Sequence, residues 1–434
     1  MDTPPEQPAF EPTPAQRAAA ARVMARCDEL AAISSIDDGV YRSYLTPEHA
    51  RCNACVAGWL EEAGLAAWQD AAGNLCGRLA ASAPGPQRTL LLGSHLDTVR
   101  NAGKYDGILG VLVALEVMAG FRAAEEALPF HVDLLGFGDE EGARFGTTLL
   151  GSRAVAGTWE PAWFDLRDRD GTTLGEALRA FGCDPAAIGE ASRAGEDLVG
   201  YLEVHIEQGP VLEENHQPLG VVPSIAGARR FRVRVSGRAG HAGTVPMNMR
   251  QDALVAAAGA VHLVERIAER FEIVATVGQL QCYPGAPNVI PGDCEFSVDI
   301  RAGRDRTRDL AVEALKEEVA RLTGTRGMRV AWEETHRASA VECASWLQRL
   351  LESAVLDLRL NPVSIVSGAG HDAMSLAEIT DVGMLFVRCA EGISHHPAEA
   401  VTEDDVAAAL AALELTLRAL AAREREENPR CAAS

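Results

Sequence analysis

The sequence predicts an α/β catalytic domain interrupted by a smaller α+β domain, and three observations predict it. Apolar strand segments alternate with helical segments from Leu90 onward, the pattern of a sheet with helices on its faces. From about Leu219 the texture becomes strand, helix, two strands, helix, strand, which is the ferredoxin-like order. The 434 residues also exceed the length at which one core usually stays undivided. The expected division is 1–218 with 334–434 for the catalytic domain and 219–333 for the insertion.

In order, Pro14 to Ile36 and Thr46 to Ala66 carry helical patterns, the second opened by Thr-Pro-Glu at 46–48. Trp68 to Leu79 reads as a hairpin turning at Gly73-Asn74. Leu90, Leu91 and Leu92 begin a buried strand ending at His95, Gly107 to Gly120 reads as a helix, and Phe130 to Gly138 as the next strand. Trp159 to Leu198 suggests helices and loops, and Gly200 to Gly209 a third strand with Glu203, His205 and Glu207 on one face. Within the insertion, Arg230–Val235, Val274–Tyr283, Cys294–Arg301 and Met328–Glu333 read as strands; Asp252–Ala268 and Arg308–Leu322 read as helices. A helix from Ala344 to Leu358, a Gly-rich turn at 367–372, a strand Val382–Arg388, a loop to Glu399 and a helix from Thr402 to about Arg425 complete the pattern. The low-complexity segments are the two tails.

Acidic residues outnumber basic ones by 62 to 40, a net −22, which argues against nucleic acid or an anionic membrane as partner. No apolar run of about 18 residues appears, and the Pro- and Glu-rich N-terminus lacks the pattern of a signal peptide, so a cytoplasmic protein is expected. Ten cysteines are scattered. Their one close pair, Cys52 and Cys55, has no second pair beside it and reads as ordinary thiols.

The chemistry gathers at strand ends. His95 and Asp97, two residues apart, share a sheet face, and Asp106 falls near a helix N-terminus. Asp139, Glu140 and Glu141 end the next strand, where adjacent carboxylates are tolerable only if cations or protons neutralise them. His205 on a polar strand face suits metal ligation, with Glu207 and Gln208 near the substrate. Two zinc-like ions about 3.5 Å apart need imidazole and carboxylate ligands, one bridging. His95, Asp106, Glu141, His205 and His395 can supply that set, with Asp106 as bridge.

The segments GSHLDTV (93–99), KYDG (104–107), DEEGARF (139–145), EVHIEQGPVLE (203–213), GHAGTVPM (240–247), PNVIPG (287–292), DIR (299–301), SGAGHDAM (367–374) and GISHHPAE (392–399) follow in order. Together they strongly resemble the M20 family of dinuclear metallohydrolases, within it the branch of allantoate amidohydrolases, N-carbamoyl-L-amino acid hydrolases and β-ureidopropionases. The resemblance implies a three-layer, mixed-sheet, zinc-exopeptidase-like catalytic domain with an inserted dimerisation and lid domain, working as a homodimer. It also implies two divalent ions per subunit, zinc or manganese, with cobalt or nickel as further candidates.

By the same resemblance, Asp97 orients His95, Glu140 is the general base, and Glu141 is a ligand. His241, from the partner subunit, is the oxyanion donor, while Asn288 and Arg301 hold a substrate carboxylate. The ligand histidine directly follows Ser394, which favours His395 over His371 and His396; Gly370 and His371 are then assigned to the substrate pocket, with Gln208. The loop Asn101-Ala-Gly103-Lys departs from the paired glycines of many relatives, which bears on loop shape.

The implied activity is hydrolysis of a ureido or carbamoyl C–N bond on a small carboxylate-bearing substrate, with release of ammonia and carbon dioxide from a carbamoyl end. Allantoate is preferred because relatives with similar GHAGTVPM and SGAGHDAM segments commonly carry that name, an association and not a physical argument. N-carbamoyl-L-amino acids and N-carbamoyl-β-alanine are the alternatives, and an aminopeptidase or dipeptidase the more distant one. A binding protein without activity is disfavoured, because Glu140 and all five ligand candidates are present.

Overall fold

The apolar runs at Leu90–Leu92 and in Val382–Val387 lie in the middle of an eight-stranded mixed sheet. Its order is Ala66–Gln69, Leu75–Leu79, His131–Phe137, Thr89–His95, Leu198–Ile206, Val382–Val387, Leu219–Val222 and Val363–Ser364. His131–Phe137 through Val382–Val387 run parallel, and the first two strands are the antiparallel hairpin expected around Gly73-Asn74. Parallel strands buried on both faces need continuous apolar sequence, which these have.

The computed structural model describes residues 10–82 and 87–427. Residues 1–9 and 428–434, parts of the low-complexity tails, lie outside the described residues. The described chain forms two units. The larger takes the chain up to Pro223, Cys343–Ile365 and the part from Gly370 on; the smaller takes Ser224–Glu342 and Val366–Ala369.

These limits differ from those expected at 219 and 333. Leu219–Val222 pairs with Val382–Val387 and so stays in the large sheet. At the other limit, the strand Arg329–Ala338 runs past 333, and Val341–Glu342 pairs with Ser224–Ile225 in the same unit.

Helix Pro14–Ala31 opens on a Thr13–Gln16 capping box and ends five residues before the expected Ile36. The Ser34 hydroxyl bonds the backbone around it, accepting from Ile36 and Tyr41 N–H, and so competes with a further helical turn. Helix Pro47–Glu62 stops at Gly64, whose positive φ closes the C-terminus by bonds from Gly64 to Glu61 and from Leu65 to Leu60. The largely apolar helix Ile108–Ala123 is buried against strands Thr89–His95 and Leu198–Ile206 on one side and helices Pro14–Ala31 and Glu403–Glu427 on the other.

The smaller unit is an antiparallel sheet ordered Val274–Thr276, Asp293–Ala302, Gly227–Ser236, Arg329–Ala338, with helices Ala253–Phe271 and Asp305–Gly324 packed on one face. This is the ferredoxin-like arrangement. The single strand expected over Val274–Tyr283 is two, Val274–Thr276 and Leu280–Tyr283, both paired with Asp293–Ala302. The chain loops out between them because Gly278 and Gln279 donate their N–H groups to the Ser297 hydroxyl. Phe231, Val233 and Val235 face the helices, whereas Arg230, Arg232 and Arg234 are exposed on the open face. Among the described residues no helix is long and apolar enough to cross a membrane.

A β-carbon at Gly110 would run into the carbonyl oxygen of Val204, while one at Gly120, on the same helix, would meet nothing. Gly110→Ala is therefore expected to lower stability by about 1–3 kcal/mol and Gly120→Ala to raise it by about 0.5–1 kcal/mol. Paired urea denaturation curves check this, and equal effects would contradict the helix–sheet packing.

Candidate metal centre

The candidate residues collect where the parallel strands end, as open α/β sheets generally arrange their sites. His95 is the last residue of its strand, and its Nδ1 donates to the carbonyl oxygen of Asp97 at 3.0 Å. His205 lies at the end of Leu198–Ile206 and donates Nδ1 to the carbonyl of Ile206 at 2.8 Å. With Nδ1 committed in each ring, Nε2 is the nitrogen left to bind a cation. Gly107 allows this close packing: its φ is +74° and a β-carbon there would strike the His95 ring.

Asp106 is the hub. Its Oδ1 stands 3.2 Å from His205 Nε2 and 3.9 Å from His95 Nε2, while its Oδ2 stands 3.1 Å from His395 Nε2. His395 Nε2 is also 3.4 Å from Glu141 Oε1. Two sets thus share one carboxylate: His95, Asp106 and His205, and Asp106, Glu141 and His395. Ligands held tetrahedrally at 2.0–2.2 Å lie about 3.3–3.6 Å apart, so these spacings fit a cation in each set.

The charges agree with the spacings. Burial opposes charge on Asp106, yet hydrogen bonds from His205 and His395 hold its carboxyl well below the usual range. Burial would lower His205, but Asp106 raises it to about 9; hydrogen bonds to Asp106 and Glu141 raise His395 to about 10. The pocket calls for positive charge beyond neutral imidazoles.

The Asp97 carboxylate takes a different place from the one expected. The Asp97 carbonyl, not its carboxylate, orients His95, the carboxylate lying 3.7 Å from Nδ1. That carboxylate instead accepts the N–H groups of Glu140 at 3.1 Å and Glu141 at 3.3 Å, fixing the turn that presents both side chains. Burial, then the charges of Glu141 and Asp372, push the Glu140 carboxyl well above its ordinary value.

Glu207, read in the sequence as lying near substrate, caps Val211–Glu214 by accepting from Val211 and Leu212 N–H at 2.7 and 2.8 Å. Gln208 turns inward and donates its amide to both Asp106 oxygens at 3.1 and 3.0 Å. His371 is buried edge-on against His205, with ring centroids 4.5 Å apart, and forms a further group with Glu203 and His205. Gly370 is exposed beside Glu140.

Two residues without an assigned role in the sequence reading, Glu399 and Ser394, support the hub. Glu399 Oε1 accepts from Tyr105 and Asp106 N–H at 2.8 and 3.1 Å. Its Oε2 accepts from the Ser394 hydroxyl at 3.1 Å, which also lies 3.0 Å from Asp106 Oδ2. One carboxylate therefore ties the Asp106 turn to the His395 loop. Glu203 is buried, accepting from Ser94, Tyr201 and the Ala373 N–H. Its place on the polar strand face and Glu399's place in GISHHPAE were the signals available.

His241, Asn288 and Arg301 lie in the smaller unit. His241 is exposed on a two-residue ladder with Val289–Ile290, and its Nδ1 accepts from Gly243 N–H at 3.1 Å, leaving Nε2 to donate. The Asn288 carbonyl accepts from Ala242 N–H. Arg301 forms a two-point pair with Asp299 at 3.1 and 3.0 Å.

The profile of peptidase family M20/M25/M40 matches residues 91–419. The chain is 40% identical over 375 residues to an N-carbamoyl-L-amino-acid amidohydrolase of Pseudomonas sp. (strain NS671), covering 85% of this chain and 90% of that one. It is 40% identical over 423 residues to a probable allantoate deiminase of Oryza sativa subsp. japonica, covering 89% and 86%. An amidase of the hydantoinase/carbamoylase family from Burkholderia multivorans superposes with a TM-score of 0.87 at 32% identity, over 93% of this chain and 98% of that one.

The metal-free site should lose stability as pH rises. Burial lifts Asp97 to about 6 and Glu399 to about 7, so stabilisation present at low pH disappears as pH passes through those values; for His205 and His395 it disappears nearer 9 and 10. Cations replace these protons, so the gain in melting temperature on adding zinc or manganese to chelator-treated protein should widen from about pH 5 to about pH 8. A gain independent of pH would contradict the site.

Proposed function

The chain belongs to peptidase family M20/M25/M40, and from that premise we propose that it is a metal-dependent amidohydrolase of carbamoyl or ureido C–N bonds, with allantoate as substrate. The carrying observation is that the two oxygens of Asp106 face two separate sets of imidazole and carboxylate groups. His95, Asp106 and His205 would hold one ion, and Asp106, Glu141 and His395 the other, zinc or manganese. Such ions polarise the scissile carbonyl and lower the pKa of water. N-carbamoyl-L-amino acids are the second reading, favoured by a relative of that name at the same 40% identity as the probable allantoate deiminase.

Glu140 takes the proton of the attacking water and returns it to the departing nitrogen. Its burial among other carboxylates gives it the proton affinity a base requires. Asp97 keeps Glu140 and Glu141 at fixed positions through their backbone N–H groups. Gln208 and Glu399 hold the Asp106 carboxylate and its backbone, and Gly370 leaves the space beside Glu140 open for substrate. His241 donates Nε2–H to the developing oxyanion from the partner subunit of a cytoplasmic homodimer, and Asn288 and Arg301 bind the substrate carboxylate.

Ammonia release from allantoate, N-carbamoyl-L-amino acids and N-carbamoyl-β-alanine, assayed side by side, tests the reading; turnover of none would refute it. Glu140→Gln should retain metal while losing about two or more orders of magnitude in kcat. Loss of metal from that variant would instead mean that Glu140 is a ligand. Mixing inactive His241→Ala with inactive Glu140→Gln should restore part of the activity after subunit exchange. No recovery despite demonstrated exchange would place His241 in its own subunit's site.

A further inference from the structure

On the open face of the smaller sheet, most charges are matched. Arg232 faces both Glu295 and Glu333, and Arg234 faces Asp293. At the Arg301 end the balance changes: Arg230 and Arg301 share the single carboxylate of Asp299, leaving a positive surplus in a protein whose net charge is −22. Asp299 grips Arg301 through Nε and Nη2, and Arg301 Nη1 donates to the Gly368 carbonyl at 2.7 Å, so the guanidinium is fixed in plane and direction. Arg230 commits only Nε, at 2.8 Å from Asp299 Oδ2. Neither Nη of Arg230 has a hydrogen-bond partner among the described residues, and its side chain is 48% exposed. Arg230, Asp299 and Arg301, with Thr276, Ser297 and Gly368, line a groove of ≈ 670 Å³.

We propose that Arg230, Asp299 and Arg301 form one anion-recognition unit, in which Asp299 positions Arg301 and Arg230 supplies a second guanidinium to the substrate carboxylate. A bound carboxylate completes the alternation of two cations and two anions and removes the surplus charge. The planar fork of Arg230 offers two parallel N–H donors, the geometry a carboxylate matches and a lysine cannot supply. Asp299 touches no substrate; it keeps Arg301 from turning away and keeps the two cations from repelling each other apart. This rests on the reading of Arg301 as a carboxylate-binding residue.

Two measurements on the full-length, metal-loaded protein test it. In steady-state kinetics with a carboxylate substrate, Arg230→Gln and Asp299→Asn should each raise KM about tenfold with kcat nearly unchanged. Asp299→Glu should recover most of the loss. With the same substrate converted to its neutral carboxamide, Arg230→Gln should have no effect, an outcome that general damage to the fold would not give. In calorimetric titration with N-acetylglycine, which carries the carboxylate without a carbamoyl group, the same variants should lose about tenfold in affinity. If Arg230→Gln keeps the wild-type KM and the wild-type affinity for N-acetylglycine, the proposal is overturned. If the wild type turns over none of the substrates, the hydrolase reading fails and the titration alone decides: weaker binding by Arg230→Gln sustains the unit, and equal or absent binding by wild type and variant removes it.

Discussion

A carboxylate removed from water must be met by positive charge or hydrogen bonds, and the larger unit is arranged around that requirement at Asp106. Two imidazoles approach one of its oxygens and a third approaches the other, with Gln208 and Ser394 beside them. Its backbone N–H is held by Glu399, and the helix beginning at Ile108 directs its N-terminus toward it. Each support constrains the chain elsewhere. His95 and His205 must end their strands with Nδ1 turned to a backbone carbonyl, and residue 107 must lack a side chain.

Around that hub lies an excess of buried acid. Asp97, Asp139, Glu140 and Asp372 are all buried, and burial pushes each carboxyl above its ordinary value. Protons satisfy such groups at low pH; metal held by the ligand sets would satisfy them near neutrality. The acid excess also explains why Asp97 binds two backbone N–H groups: neutral donors lower the cost of its charge without competing with the ligands for metal.

Much of this was legible in the sequence because the signals are local. Three consecutive leucines announce a buried strand, and strand ends announce a site, so the parallel core and most of the residues gathered at Asp106 follow from residue order, while His395 was separated from His371 and His396 by the family resemblance. What escaped depends on partners distant in the chain. Glu399 bonds Asp106 from 293 positions away, and although it lies in GISHHPAE, the segment does not say which backbone it holds. Glu207 looked like a site residue because strand alternation puts it on the face of His205, but the strand ends at Ile206 and the side chain turns to cap the next helix. Gly278 broke an expected strand because Ser297, on a neighbouring strand, offered an oxygen to the looped backbone.

The same electrostatics constrain substrate recognition. A cluster of carboxylates dense enough to bind metal leaves little positive charge for gripping an anion, and every arginine placed there would compete with metal for the same ligands. Recognition of an anion is therefore better served by a separately folded element whose basic residues are not drawn into the metal site. In the smaller unit, alternation along Gly227–Ser236 sends arginines to the open face while Phe231, Val233 and Val235 build the core, so cations can accumulate there without cost to packing. Asp299 is the device that makes such crowding stable: it neutralises one charge of two and fixes the direction of Arg301. The two units thus differ in charge character, with acid gathered around Asp106 in one and arginines on the open sheet face of the other.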